Sequence, residues 1–144
     1  MPGHGRSFIH RPAEARTLRS LPPFAMVGDA GAVARVWDGP IEVIDDIAEA
    51  PVVFDRALPV LAVEPAGDVV PGTATVAGAR AALSALECAI ALAQRGAAKA
   101  LVTGPVSKAQ LYGIGFNQPG QTEFVAERCG VAPDDAVMML AGPS

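Results

Sequence analysis

The sequence is poor in the residues that build disulfide frameworks, zinc sites and aromatic cores. Its 144 residues include two cysteines, two histidines and only 5% aromatic residues. Cys88 and Cys129 are too few for a disulfide framework or a cysteine-rich zinc site, and the spacing of His4 and His10 matches no zinc pattern. We therefore expect an aliphatic core of Ala, Val, Leu and Ile, and a reducing, cytoplasmic location.

Charge is scarce as well. Charged residues make up 18% of the chain, the net charge is −4, and hydrophobic residues reach 51%. This balance argues against a disordered chain and gives no global attraction to nucleic acid or anionic membranes. The best candidate for a membrane span, residues 81–93, is short and is interrupted by Ser84 and Glu87. We expect neither a nucleic-acid partner nor a membrane partner.

The first 20 residues differ in composition from the rest. They hold four arginines against one acid, Glu14, and they lack the apolar run of a secretory signal. Prolines and glycines disrupt the amphipathic helix that a mitochondrial transit peptide needs. The sequence therefore predicts a poorly ordered N-terminal arm over residues 1–20 and one domain over residues 21–144.

Short apolar runs bounded by glycine, proline or acidic residues predict buried strands. Between them, apolar residues spaced by three and four predict a long helix over residues 75–95, stopped by Gly96. Asp46 and Glu49 form a capping pair for one short turn that Pro51 ends. The predicted strands are residues 24–27, 41–44, 58–63, 100–103 and 136–140, with an edge fragment at 69–70. Strands that alternate with helices indicate an α/β fold with a mixed or parallel sheet and flanking helices.

Residues 101–108 predict a strand, a tight turn and the start of a helix, for which Ser107 and Gln110 form a capping box. Gly113 and Gly115 end this helix. Free amides at a helix start bind anions, and Lys108 in the first turn opposes the helix dipole unless an anion lies nearby. Lys108 is therefore a candidate phosphate or carboxylate ligand. The alternative is a solvated lysine beside a good cap.

A second polar loop, residues 117–121, leads into another predicted helix over residues 122–129, which Gly130 stops. Gln121 and Thr122 are candidate ligands for a substrate phosphate. The alternative is structural, since Thr122 suits a helix cap and Glu123 suits the first turn of the helix. Two helix starts this close in sequence could share one anion site.

These two loops resemble the 4-hydroxythreonine-4-phosphate dehydrogenase family. The resemblance is carried by T-G-P-V-S-K at residues 103–108, G-F at 115–116, P-G-Q-T-E-F at 119–124 and M-M-L-A at 138–141. The run L-P-P-F-A-M-V-G-D-A at 21–30 and the region around residues 58–70 also fit. Because the final predicted strand would be central in such a fold, residues 1–144 are interpreted as the N-terminal part of a larger domain.

The resemblance implies a homodimer with an isopropylmalate-dehydrogenase-like α/β fold, of which this chain holds a part. It implies oxidation of 4-phosphooxy-L-threonine in pyridoxal phosphate biosynthesis, with hydride passed to NAD or NADP. The β-keto acid that forms loses carbon dioxide and gives 3-amino-2-oxopropyl phosphate. A divalent metal (Zn, Mg or Co) polarises the alcohol oxygen, and the resemblance places its ligands outside this chain. No residue here is assigned to catalysis or to the metal, and the cofactor-binding residues are unknown.

The family's substrate-binding His-Thr pair falls on Gln121 and Thr122 of this sequence. Thr122 matches, whereas Gln121 can donate a hydrogen bond but cannot carry a positive charge. Two alternatives therefore stay open beside the phosphooxythreonine substrate. One is a related enzyme that oxidises another polyol phosphate or a cis-dihydrodiol acid, and the other is a non-catalytic remnant or dimerising module.

Overall fold

The computed structural model describes residues 21–142. Strands β1 (Met26–Gly28), β2 (Ile41–Ile44) and β3 (Leu58–Ala62) form a parallel sheet in the order β1-β3-β2. Helices separate the strands along the chain, which confirms the predicted α/β class with a parallel sheet. The predicted arm, residues 1–20, lies outside the described residues, so the domain division at residue 21 stays a prediction.

The middle strand, β3, is the most deeply buried element. Its residues Leu58, Pro59 and Val60 each expose less than 2% of their surface. Val60 lies opposite Met26 of β1 and Val43 of β2, so both outer strands are aligned on it. A strand covered in this way reads as a continuous apolar run, as parallel strands do.

The loops after the outer strands begin with acidic caps. Asp29 caps α1 (Ala30–Ala34), and Asp46 with Glu49 forms a full capping box on the 3₁₀ helix Ile47–Glu49. The expectation that Pro51 ends this turn was wrong, because Pro51 lies in the first turn of α2 (Ala50–Phe54). Proline is tolerated there since the first N–H groups of a helix have no helical acceptor.

The long helix α3 (Val76–Gln94) confirms the strongest periodic pattern in the sequence. Thr75 caps it through its hydroxyl, which accepts from the Gly78 amide at 3.0 Å. Gly96, with φ +75°, follows its C-terminus as predicted. Ala79, Leu86 and Ile90 of the predicted apolar stripe are buried, and the helix contacts β1.

The same helix corrects the expectation that no segment could span a bilayer. Within residues 21–142, α3 alone is long and apolar enough, with a mean hydropathy of 1.5 over the tested window, 22% of which is buried. Its buried residues pack with Leu111, Phe116 and Phe124. Core helices can have the same length and composition, and one face of α3 packs in the hydrophobic core of the described residues.

Three predicted strands do not form in the described part of the chain. Residues 100–103 and 136–140 are not in strands, and residues 69–70 lie in turns closed by Gly67 and Val70 carbonyls. The side chain of Val102 is 94% exposed. A strand requires a hydrogen-bonded neighbour, and within residues 21–142 the strands β1, β2 and β3 pair only with each other.

Two short helices complete the structure. They are α4 (Lys108–Gly113) and α5 (Gln121–Arg128), followed by the 3₁₀ helix Pro133–Asp135. Gly115 and Gly130, with φ +88° and +70°, follow the two helices as predicted. Ser107 is at the N-cap of α4 but makes no side-chain cap bond, so the predicted capping box does not form.

Candidate functional site

The structure brings together the two loops singled out in the sequence. The side-chain amide of Gln121, the first residue of α5, donates to the carbonyl oxygen of Gly104 at 3.3 Å. Gly104 lies in the loop that precedes α4. The start of α5 is therefore joined directly to the T-G-P-V-S-K segment, across 17 residues of sequence.

Lys108 reaches the same place from α4. It is exposed and begins that helix, and its ammonium nitrogen lies 3.9 Å from the point that a Cβ on Gly120 would occupy. Gly120 is the N-cap residue of α5. Lys108 thus places a positive charge beside the start of the neighbouring helix, where anions are bound most favourably.

Thr122 is half-buried and is the second residue of α5. The expectation that Thr122 caps this helix was wrong, because Gly120 holds the cap position and no side chain makes a cap bond there. The first helical bond runs from the Phe124 amide to the Gly120 carbonyl. The amides of residues 121–123 therefore have no acceptor within the helix, as is normal for a first turn.

Glu123 occupies part of this helix start itself. One carboxylate oxygen lies 3.0 Å from the ideal Cβ position on Gly120, so this flexible side chain would shift slightly to admit a larger residue. The backbone of Gly120, with φ −167°, is ordinary extended chain. Neither backbone strain nor a rigid neighbour therefore requires glycine at this position.

Two cavities lie beside this cluster rather than on it. One, of about 190 Å³, includes Thr75, Ser107 and Gln110 in its lining. The other, of about 180 Å³, lies between α3 and α5. Gln121, Thr122 and Lys108 line neither cavity; Lys108 is exposed, and Gln121 and Thr122 are half-buried.

Metal-binding side chains do not gather in residues 21–142. No group of three or more His, Cys, Asp or Glu residues in that range is placed to hold a metal ion. Both histidines fall within residues 1–20, outside the described residues. The residues present therefore do not fit a complete metal site.

The parallel sheet and its intervening helices define an α/β protein. Lys108, at the start of α4, lies beside the start of α5, and together they form a candidate anion-binding surface. The chain belongs to the family described as pyridoxal phosphate biosynthetic protein PdxA, whose model matches residues 22–144.

Named relatives agree with this assignment. The chain is 48% identical to a 4-hydroxythreonine-4-phosphate dehydrogenase of Zymomonas mobilis, over 98% of this chain and 42% of the relative. It is 43% identical to the protein of that name from Erythrobacter litoralis, over 99% of this chain and 44% of the relative. The chain thus spans less than half the length of these curated relatives.

A solved structure supports the fold. The crystal structure of 4-hydroxythreonine-4-phosphate dehydrogenase from Klebsiella pneumoniae matches with a TM-score of 0.61 and 29% identity. The match covers 71% of this chain and 33% of that one. The α/β arrangement described above is therefore the arrangement of a recognised dehydrogenase family.

Proposed function

We propose that this chain forms part of a dehydrogenase that oxidises 4-phosphooxy-L-threonine in pyridoxal phosphate biosynthesis. Family membership supports the reaction class, since the curated relatives carry the name of that enzyme. The observation that carries the role of this chain is the position of the Lys108 ammonium nitrogen, 3.9 Å from the ideal Cβ position of Gly120, the N-cap residue of α5. A positive charge beside free helix amides is suited to a phosphate group.

The proposed part of this chain in the reaction is to hold the substrate phosphate. The Thr122 hydroxyl and the free amides of the first turn of α5 donate hydrogen bonds to it, and Lys108 supplies positive charge. Gln121 uses one amide hydrogen to hold Gly104 and keeps the other for the phosphate. Fixing the phosphate orients the substrate alcohol for oxidation.

We propose that the complete protein would use NAD or NADP as the hydride acceptor and a divalent metal as the Lewis acid for the alcohol oxygen. The β-keto acid produced then loses carbon dioxide. Residues 21–142 offer no complete donor set for the metal, so we propose that its ligands lie elsewhere in the complete protein. We also propose that the complete protein is a cytoplasmic homodimer.

The test uses the complete enzyme that contains this chain. Thr122→Ala removes one hydrogen bond to a charged group, which is worth about 1.5–3 kcal/mol. We expect the KM for 4-phosphooxy-L-threonine to rise roughly tenfold or more. In the same assay, the KM of Lys108→Met is compared with the KM of Lys99→Met, because Lys99 and Lys108 are the two lysines of the chain.

Thr73→Ala is the matched control for Thr122→Ala, since Thr73 is an exposed threonine in the loop before α3. Its KM should equal that of the unchanged enzyme. An unchanged KM in Thr122→Ala would remove Thr122 from the phosphate site. Equal turnover of phosphorylated and non-phosphorylated alcohols would instead favour the alternative that this is a related enzyme with a different substrate.

A further inference from the structure

Helix α5 is held at the end opposite to its proposed phosphate-binding residues. Arg128, its last residue, forms an ion pair with Glu87 of α3, with 2.6 Å between the guanidinium nitrogen and the carboxylate oxygen. The guanidinium carbon also lies 4.6 Å from the centre of the Phe124 ring, a cation–π arrangement. One side chain thus joins α5 to α3 and covers a core residue of α5.

A second residue of α3 forms a hydrogen bond to Arg128. The side-chain amide of Gln94 donates to the Arg128 carbonyl at 2.7 Å. The last carbonyls of a helix have no partner within it, so this bond satisfies one of them. Glu87 and Gln94 lie seven residues apart, about two helical turns. They hold the C-terminal end of α5 against one face of α3.

The loop before α5 is tied to the same end. Gln118 donates to the Glu127 carboxylate at 2.6 Å, and Phe124 packs on Phe116 with 5.3 Å between the ring centres. An eight-residue helix is about 12 Å long, so a 10° rotation about its C-terminal end moves its first residues by about 2 Å. A displacement of about 1 Å is enough to damage a reacting geometry.

We propose that Arg128 is a positioning residue that, with Glu87 and Gln94, aims Gln121 and Thr122 at the substrate phosphate. This inference rests on the proposed function. The ion pair is partly exposed, with side-chain exposures of 43% and 45%. Exposed ion pairs contribute little to folding stability, so the role of Arg128 is to fix the direction of α5.

The first test is Arg128→Met in the complete enzyme, which keeps the length of the side chain and removes its charge. We expect the KM for the phosphorylated substrate to rise about three- to tenfold, with kcat changed less. Arg80→Met, at an exposed arginine of α3, is the matched control and should leave KM unchanged. Arg128→Lys, or the exchange Glu87→Arg with Arg128→Glu, should recover part of the affinity.

The second test separates positioning from general stability. If Arg128 acts through Thr122, the effect of Arg128→Met on KM should largely vanish in a Thr122→Ala background. Amide hydrogen exchange at Phe124 and Val125 should also be faster in Arg128→Met.

Multiplicative effects of the two substitutions, or unchanged exchange, would overturn the positioning role. If Thr122→Ala raises KM and Arg128→Met does not, only this inference fails. If Thr122→Ala has no effect, the phosphate assignment fails and the positioning role falls with it.

Discussion

At the residue scale, the carboxylate of Asp29 makes a long-range hydrogen bond as well as the cap expected from its position before a helix. One carboxylate oxygen accepts from the Gly31 amide at 2.8 Å and caps α1. The other accepts from the buried Ala66 amide, also at 2.8 Å and 37 residues away. Asp29 therefore joins the loop after β1 to the loop after β3, and only the local bond could be read from the sequence.

These hydrogen bonds make the contribution of Asp29 to folding stability depend on pH. The Ala66 amide is the main cause that lowers the pKa of the Asp29 carboxyl, with further contributions from the Gly31 and Ala32 amides, while burial acts in the opposite direction. A lowered pKa in the folded state means that ionised Asp29 stabilises the fold. This stabilisation is full above the unfolded pKa of about 3.9 and is lost as the pH falls through the lowered pKa.

We expect Asp29→Ala to reduce the free energy of unfolding near pH 7 by about 1 kcal/mol, the usual cost of losing an N-cap. Its stability should also fall less steeply below about pH 3.9 than that of the unchanged protein. Urea unfolding at several pH values measures both effects. Asp38→Ala, at an exposed carboxylate, is the control, and an equal loss there would contradict the role of Asp29.

The residues of the candidate site were predicted by type but not by geometry. Gln121, Thr122 and Lys108 stood out because they lie at two predicted helix starts. Their mutual placement depends on the Gln121–Gly104 bond, and no sequence spacing encodes that distance. The sequence pattern did not indicate the ion pair of Arg128 and Glu87, since these residues lie 41 positions apart.

At the scale of elements, local chemistry predicted α3, α4 and α5, whereas α2 was not predicted. The end of α3 follows directly from Gly96, whose φ of +75° favours glycine. The predicted N-cap of α5 was wrong, because Gly120 and not Thr122 holds the cap position. Cap choice depends on neighbouring loops, which the local pattern does not describe.

Two glycine substitutions separate the effect of a left-handed backbone conformation from the effect of helix propensity. Gly96→Ala should lower the free energy of unfolding by about 1–2 kcal/mol, because a Cβ is strained in the left-handed conformation. Gly113→Ala, at the last residue of α4 with nothing within 4 Å of the added carbon, should be neutral or slightly stabilising. Thermal unfolding compares them, and equal effects would show that backbone conformation does not decide the outcome.

Apolar surface at the C-terminal end of the described residues is the main feature at the scale of the whole molecule. Val137, Met138, Met139 and Leu140 are 68–90% exposed. Four consecutive exposed apolar residues favour association, because contact removes their surface from water. The same residues form the predicted final strand, so their pattern is that of a buried element.

We expect this 144-residue chain to associate as its concentration rises. The double variant Val137→Ser/Leu140→Ser should show a lower average mass by light scattering at equal concentration. The control, Val52→Ser/Val70→Ser, removes two isolated exposed valines and should behave like the unchanged chain. A monodisperse monomer at all concentrations would contradict the expectation.

The sequence by itself determined the α/β class, the three parallel strands, the limits of α3 and the two loops of the candidate site. Each depends on apolar period, caps or glycine, which act over a few residues. Only the tertiary structure decided that residues 100–103 and 136–140 lie outside strands here, that Gln121 meets Gly104, and that Arg128 meets Glu87. A strand or a long-range contact exists only when a partner distant in sequence lies beside it, and local patterns do not carry that information.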